Sequence, residues 1–241
     1  MTFAVISLTR QRLAGGGAFP WRMSAADAWI YVITFIPGLL LLAGVALQTR
    51  APIIYLMKDP FTAVQLSKEC CHVYYGLVSN LGVMVWTTAA AVCLFTALLL
   101  IHLGRHGAEP IFLAAAGLFT GWLALDDFFM IHEDVLPLFG VPQPLTYAGY
   151  ASAAGLYLLL SWRQILRSRP VLMALAMALL GTSVVIDVLV HSESTLHVFM
   201  EDGAKFLGIL AWAGFHVNAA LDLAAAAVIQ PRVVLTTRSA R

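Results

Sequence analysis

The sequence predicts an all-α membrane protein with six transmembrane helices, and three observations carry that prediction. Of its 241 residues, 61% are hydrophobic and only 11% are charged. Mean hydropathy is +0.85. The apolar residues gather into six runs, each at least near the ~20 residues that a hydrocarbon core requires. A soluble domain would need far more polar surface than this. One membrane domain, 1–241, accounts for the length, with a cytoplasmic segment 1–25, a helical bundle 26–229 and a cytoplasmic tail 230–241. A net charge of +1 argues against nucleic acid as a partner, since phosphate binding needs a basic face, and leaves the lipid bilayer as the surrounding partner.

The first span is drawn over Ala26–Gln48, where Pro37-Gly38 predicts a kink because proline removes a backbone hydrogen bond. The segment before it, Met1–Trp21, lacks the charged start, clean apolar stretch and small-residue cleavage site of a removable signal, so the first span is read as an uncleaved one. Arg50–Glu69 reads as a loop. The second span, Val73–Leu103, and the sixth, Leu196–Ile229, exceed a straight crossing and predict tilt or protrusion. The third, fourth and fifth run over Pro110–Ile131, Leu145–Leu166 and Val171–His191. Gly104–Pro110, Pro137–Pro144 and Arg167–Pro170 punctuate them with the expected breakers. No internal repeat supports an inverted-repeat transporter.

Lysines and arginines orient the bundle. Arg10, Arg12 and Arg22 precede span one, Arg105 follows span two, Arg163, Arg167 and Arg169 follow span four, and Arg232, Arg238 and Arg241 end the chain. The loops after spans three and five contain neither residue. The positive-inside rule then places both termini in the cytoplasm, and the short loops suggest a bacterial inner membrane. Arg50, Lys58 and Lys68 dissent, since their loop must face outward.

That topology brings the ionisable residues to one layer in the outer half. Asp126, Asp127, His132 and Glu133 close span three; Asp187 and His191 close span five; His197, Glu201, Asp202 and Lys205 open span six. His72, Ser79 and Asn80 join them from span two. Charge at hydrocarbon depth is costly, so such a layer marks a functional site. Asp187 and His191 share a face at i, i+4, and His197, Glu201 and Lys205 form a ladder at i, i+4, i+8. Ideal helical spacing also puts Asp126 and Glu133 on one face and turns Asp127 and His132 elsewhere.

Two chemistries and a structural role fit the layer. His132, His191 and His197 with Asp187 or Glu201 offer three imidazoles and a carboxylate, close to a catalytic zinc set with an open position; iron or copper could use similar ligands. In that expectation Asp127 or Glu201 activates water and Lys205 stabilises developing negative charge, giving a metal-dependent hydrolase for a lipid or amphipathic substrate. There is no His-Glu-x-x-His, and Glu-x-x-His occurs once, at Glu69–His72, where a diiron bundle would need two copies. The alternative is a metal-free proton- or ion-coupled transporter, in which acids, histidines and one lysine relay protons. Continuing inward, span six offers only His216, Asn218 and Asp222, a pattern more like a pocket open to the outside than a complete path. A structural role remains for each residue singly, with Lys205 neutralising Glu201 or Asp202 and Asp187 holding His191. An accessory subunit, partnered by other membrane proteins or by its own copies, is the third class.

Cys93, inside an apolar run, reads as a packing residue. Cys70 and Cys71 read as a thiol pair at a helix entrance, since neighbouring cysteines meet disulfide geometry with difficulty. Ser79-Asn80, Asp127, His132 and the later histidines are loosely similar to the alkaline ceramidase and progestin-receptor-like zinc hydrolases. The likeness covers scattered residues and is an analogy only. Their paired histidines one turn apart on the last helix are missing here, and those proteins have seven spans.

Overall fold

The computed structural model of the chain describes residues 25–70, 72–189 and 194–229. Of these residues 86% are helical and none is in a strand. The helices are α1 (Ala25–Leu47), α2 (Ile53–Met57), α3 (Pro60–Ser67), α4 (Leu77–His102), α5 (Ala108–Phe129), α6 (Gln143–Arg167), α7 (Pro170–Leu189) and α8 (Thr195–Ile229). A π-helical turn, Ile131–Val135, and a single α turn, Leu136–Leu138, link α5 to α6. Five helices, α1, α4, α5, α7 and α8, are long and apolar enough to cross a membrane. The fourth predicted span is present as α6, equally long, but Gln143, Arg163, Gln164 and Arg167 dilute its apolar character.

Two differences from the sequence reading matter for the site. The segment expected as a loop after span one contains α2 and α3, with Asp59 capping α3 by accepting from the Thr62 N–H at 2.9 Å. Pro60 sits at the first position of α3, where a missing N–H costs nothing. The third span ends two residues early because Met130 adopts a left-handed conformation, φ 49°, and stops α5.

The burial pattern is that of a lipid-facing bundle. Trp29, Ile33 and Leu40 on α1, Phe95 and Leu98 on α4, and Leu156, Leu159 and Leu160 on α6 point outward. So many large exposed apolar side chains are intolerable in water and ordinary against acyl chains. α8 is the central helix, packing against α7, α4 and α1. Trp212 and Phe215 on α8, Leu113 on α5 and Leu172 on α7 are completely or almost completely buried. Trp212 donates to Thr120 Oγ1 at 2.9 Å and meets the edge of Trp86 on α4. The second core, built from Leu42, Val45, Leu56, Met57, Val78 and Phe206, sits beneath the α2–α3 connector.

Backbones approach closely where α7 crosses α8. A Cβ on Gly208 would stand 2.8 Å from Leu180 Cγ and 3.0 Å from the Leu180 backbone nitrogen. Backbone cannot step aside as a flexible side chain can, so Gly208→Ala is expected to cost about 1–3 kcal/mol. Gly155, with nothing within 4 Å of its would-be Cβ, should accept alanine without loss. Unfolding midpoints of the two variants in the same detergent check the pair, and equal midpoints would refute the close approach.

Candidate functional site

The site forms where α4 and α8 begin, α5 ends and the α2–α3 connector folds over. That connector is seated by Gly76, whose N–H donates to Tyr55 O at 2.9 Å. Gly76 has φ 70°, and a Cβ there would lie 2.6 Å from Pro60 Cγ and 2.9 Å from its nitrogen, so glycine alone permits this contact. Lys58, between the two short helices, is thereby aimed at the first turns of α8. Its Nζ lies 3.3 Å and 3.4 Å from the Glu201 carboxylate oxygens and 3.8 Å from Asp202 Oδ2. Burial alone would lower the Lys58 pKa, but Asp202, Glu201 and Glu133 outweigh it and hold the ammonium above its usual range.

One helical turn further along α8, Lys205 Nζ is 2.8 Å from Asp127 Oδ1, and Trp86 Nε1 donates to the other Asp127 oxygen at 3.1 Å. The expected pairing of Lys205 with Glu201 or Asp202 is therefore replaced by a bridge between helices. Lys58 serves the carboxylates that Lys205 leaves.

The end of α5 departs from ideal spacing. After the left-handed Met130, the π-helical turn folds His132 back onto Asp126. The His132 backbone N–H donates to Asp126 Oδ1 at 3.0 Å, its Nδ1 lies 2.6 Å from Oδ2, and Tyr150 of α6 donates to Oδ1 at 2.6 Å. His132 Nε2 is 3.2 Å from Glu133 Oε1. Asp126 and His132 thus converge, whereas the unbroken helix had pointed them apart. Burial opposes the charged ring, but the carboxylates of Asp126 and Glu133 at its two nitrogens raise the His132 pKa to about 9. The same hydrogen bond from His132 keeps Glu133 low, at about 2, against the cost of burial.

These groups surround a cavity of about 50 Å³, lined by Lys58, Asp127, His132, Glu133, Glu201, Asp202 and Lys205 with Ser79 and Gly82 of α4. That is room for a few water molecules. Of the predicted catalytic residues Asp127, Glu201 and Lys205, all three line it. Of the predicted metal ligands only His132 does. Asp187 instead accepts from Tyr147 at 2.6 Å, itself hydrogen-bonded by Gln143 at 2.9 Å. His197 places Nε2 3.4 Å from Ile186 O, with Nδ1 3.9 Å from Glu201, beyond hydrogen-bond range. His191 lies outside the described residues, as does Cys71. No group of three or more His, Cys, Asp or Glu side chains arranged to hold a metal occurs among the described residues. Among the described residues none from span five lines the cavity, and the α2–α3 connector lines it instead. Cys70 is disulfide-bonded, not the thiol expected at that helix entrance.

Lys58, Tyr147 and Tyr150 are the partners that sequence reasoning missed. Lys58 left a signal: it breaks the expected positive-inside pattern, and in the structure it faces the Glu201 and Asp202 carboxylates. The tyrosines left none, because α6 showed no ionisable residue at that end.

The inward polar residues of α8 are each satisfied locally. His216 is fully buried, with Tyr157 OH 2.7 Å from Nε2 and Trp212 O 2.9 Å from Nδ1. Asn218 donates to Gly214 O at 2.7 Å, and Asp222 pairs with Arg169 at 2.8 Å. The polar cavity ends at the aromatic core.

Two outcomes follow from the pairing. His132 has its pKa raised from 6.5 to about 9, so its contribution to stability is fully present below pH 6.5 and is lost as pH rises through about 9. Asp126→Asn should flatten that slope, as thermal unfolding across this range would read; an unchanged slope would remove Asp126 as the cause. Lys205→Met leaves Asp127 charged and unpaired. Because the lysine is 35% exposed, the loss should fall below the ~3–5 kcal/mol of a fully buried broken pair. Adding Asp127→Asn should recover most of it, a coupling that a double-mutant cycle measures.

No curated protein and no solved structure matches the chain. Residues 30–219, more than half of the 241, match a family described as a domain of unknown function (DUF8692), and the chain belongs to that family.

Proposed function

We propose that the chain is a multi-pass membrane protein whose polar cavity takes up and releases protons from the outer side, as a proton-coupled transporter does. One observation carries the reading. The cavity is lined by five carboxylates, Asp59, Asp127, Glu133, Glu201 and Asp202, against three cations, Lys58, Lys205 and His132, leaving two negative charges in excess. Such an excess in a low-dielectric region is relieved by taking up protons or a cation. Asp202 Oδ2 is buried and makes no hydrogen bond, which offers a proton a place to sit beside the water-sized space.

Two features favour protons over the metal-dependent hydrolase. Lys58 and Lys205 already occupy oxygens of Glu201 and Asp127 that a metal would need. A lipid or amphipathic substrate would need far more room than about 50 Å³. In the same proposal α6 is the fourth of six spans, its outward leucines facing lipid, and the expected excess of arginine at the other end keeps both termini cytoplasmic in a bacterial inner membrane.

Infrared difference spectra of the protein in liposomes, recorded as pH is lowered, test the reading. A protonated-carboxyl band should appear in the wild type and vanish in Asp202→Asn. A band unaffected by Asp202→Asn and Glu201→Gln together would dismiss proton uptake here. Stoichiometric zinc, iron or copper in the purified protein, lost in Glu201→Gln, would restore the metal reading instead.

A further inference from the structure

We infer that a groove between the end of α1 and the start of α4 binds one anionic phospholipid, with an acyl chain along its floor and the phosphodiester at Arg50. The groove encloses about 470 Å³, within the range of small-molecule sites. Leu40, Leu41 and Val45 of α1, Leu56 of α2 and Leu77 of α4 wall it. Val45 and Leu56 are buried and belong to the core beneath the α2–α3 connector, whereas Leu40 is 68% exposed, so the groove opens outward, where acyl chains lie. Gly44 lines it too, and nothing stands within 4 Å of the Cβ it lacks. The wall of α1 is one side chain short at that point.

The mouth of the groove is built around one charge. Of the ten residues that line it, Arg50 alone is charged. The Gln48 side chain staples the turn that carries this arginine just beyond the end of α1. Its Oε1 accepts from the Arg50 and Ala51 N–H groups, both at 2.9 Å, and its Nε2 donates to Ala51 O at 2.7 Å. Among the described residues the Arg50 guanidinium makes no hydrogen bond and no ion pair. The acids of the neighbouring connector are turned to other tasks: Asp59 caps α3, and Glu69 lies 3.2 Å from His72.

Charge and shape together select the ligand. A guanidinium forks onto phosphate oxygens, and basic groups at a membrane surface attract anionic headgroups. A free anion has no use for the apolar floor, whereas the methylenes of a lipid gain by covering it. A choline headgroup would bring a second cation beside Arg50, with no carboxylate in the lining to receive it. The bound chain would also brace the short helix α2, because Leu56 lines the groove while Met57 and Lys58, next in sequence, line the polar cavity.

Native mass spectrometry of the full chain, released from detergent with phosphatidylglycerol or phosphatidylcholine, tests the site. The wild type should retain phosphatidylglycerol about fivefold better than phosphatidylcholine. Arg50→Gln should remove that preference and leave phosphatidylcholine retention unchanged. Gly44→Phe, which fills the groove and spares the arginine, should lower retention of both lipids. Equal retention of the two lipids by the wild type overturns the headgroup assignment whether or not a variant folds, and so does a preference that survives in Arg50→Gln. Wild-type retention by a folded Gly44→Phe variant overturns the groove. Displacement of phosphatidylglycerol by equimolar palmitate overturns the phospholipid in favour of a free fatty acid.

Discussion

The pairing of α8's buried charges fixes the arrangement of everything around them. His197, Glu201, Asp202 and Lys205 occupy the first turns of the central helix, at a depth where an unpaired charge costs several kcal/mol. No residue on α8 neutralises the others. Lys205 finds Asp127 on α5, and Glu201 and Asp202 find Lys58 on the α2–α3 connector. The depth of α8 against α5 and the seating of the connector are therefore one problem with one solution. A shift of α8 by one turn would leave three charges unpaired at once, which apolar packing alone would not forbid.

The helices themselves were legible because each is a long apolar run, and their ends agree with the sequence reading to within a few residues. Which residues share the site was less legible, for a physical reason. Helical spacing predicts a common face only while the helix continues, and α5 stops at Met130, a left-handed residue with no glycine or proline to announce it. The π-helical turn that follows carries His132 to Asp126, a pairing that i, i+6 spacing on an ideal helix would not produce. Lys58 lay in a segment without periodicity long enough to declare α2 and α3. The ladder on α8 was read correctly in spacing and wrongly in pairing, because partners on other helices do not appear in local sequence.

Between the polar layer and the other end of the bundle stands an aromatic plug. Trp212, Phe215, Phe112 and Tyr157 pack around His216, with ring centroids 4.4 Å apart for Trp212 and His216, and Trp86 meets Trp212. His216 accepts or donates only within this cluster, so it satisfies its own desolvation and offers nothing to a mobile proton. A pathway across the bundle would require these rings to separate. The proposed proton uptake would therefore be confined to the cavity's side of these rings in this conformation, and coupling to anything beyond them would travel through movement of helices.

Charge at the polar cavity does not balance. Where α4 and α8 begin, the carboxylates that line the cavity, Asp59, Asp127, Glu133, Glu201 and Asp202, outnumber Lys58, His132 and Lys205 by two. The pairing that fixes α8 leaves that excess in place, because three cations hold the helices in register while two carboxylate charges remain without a counter-ion. Structural neutralisation would have matched every acid. The shortfall at one small, water-sized space is what the proposed proton uptake rests on.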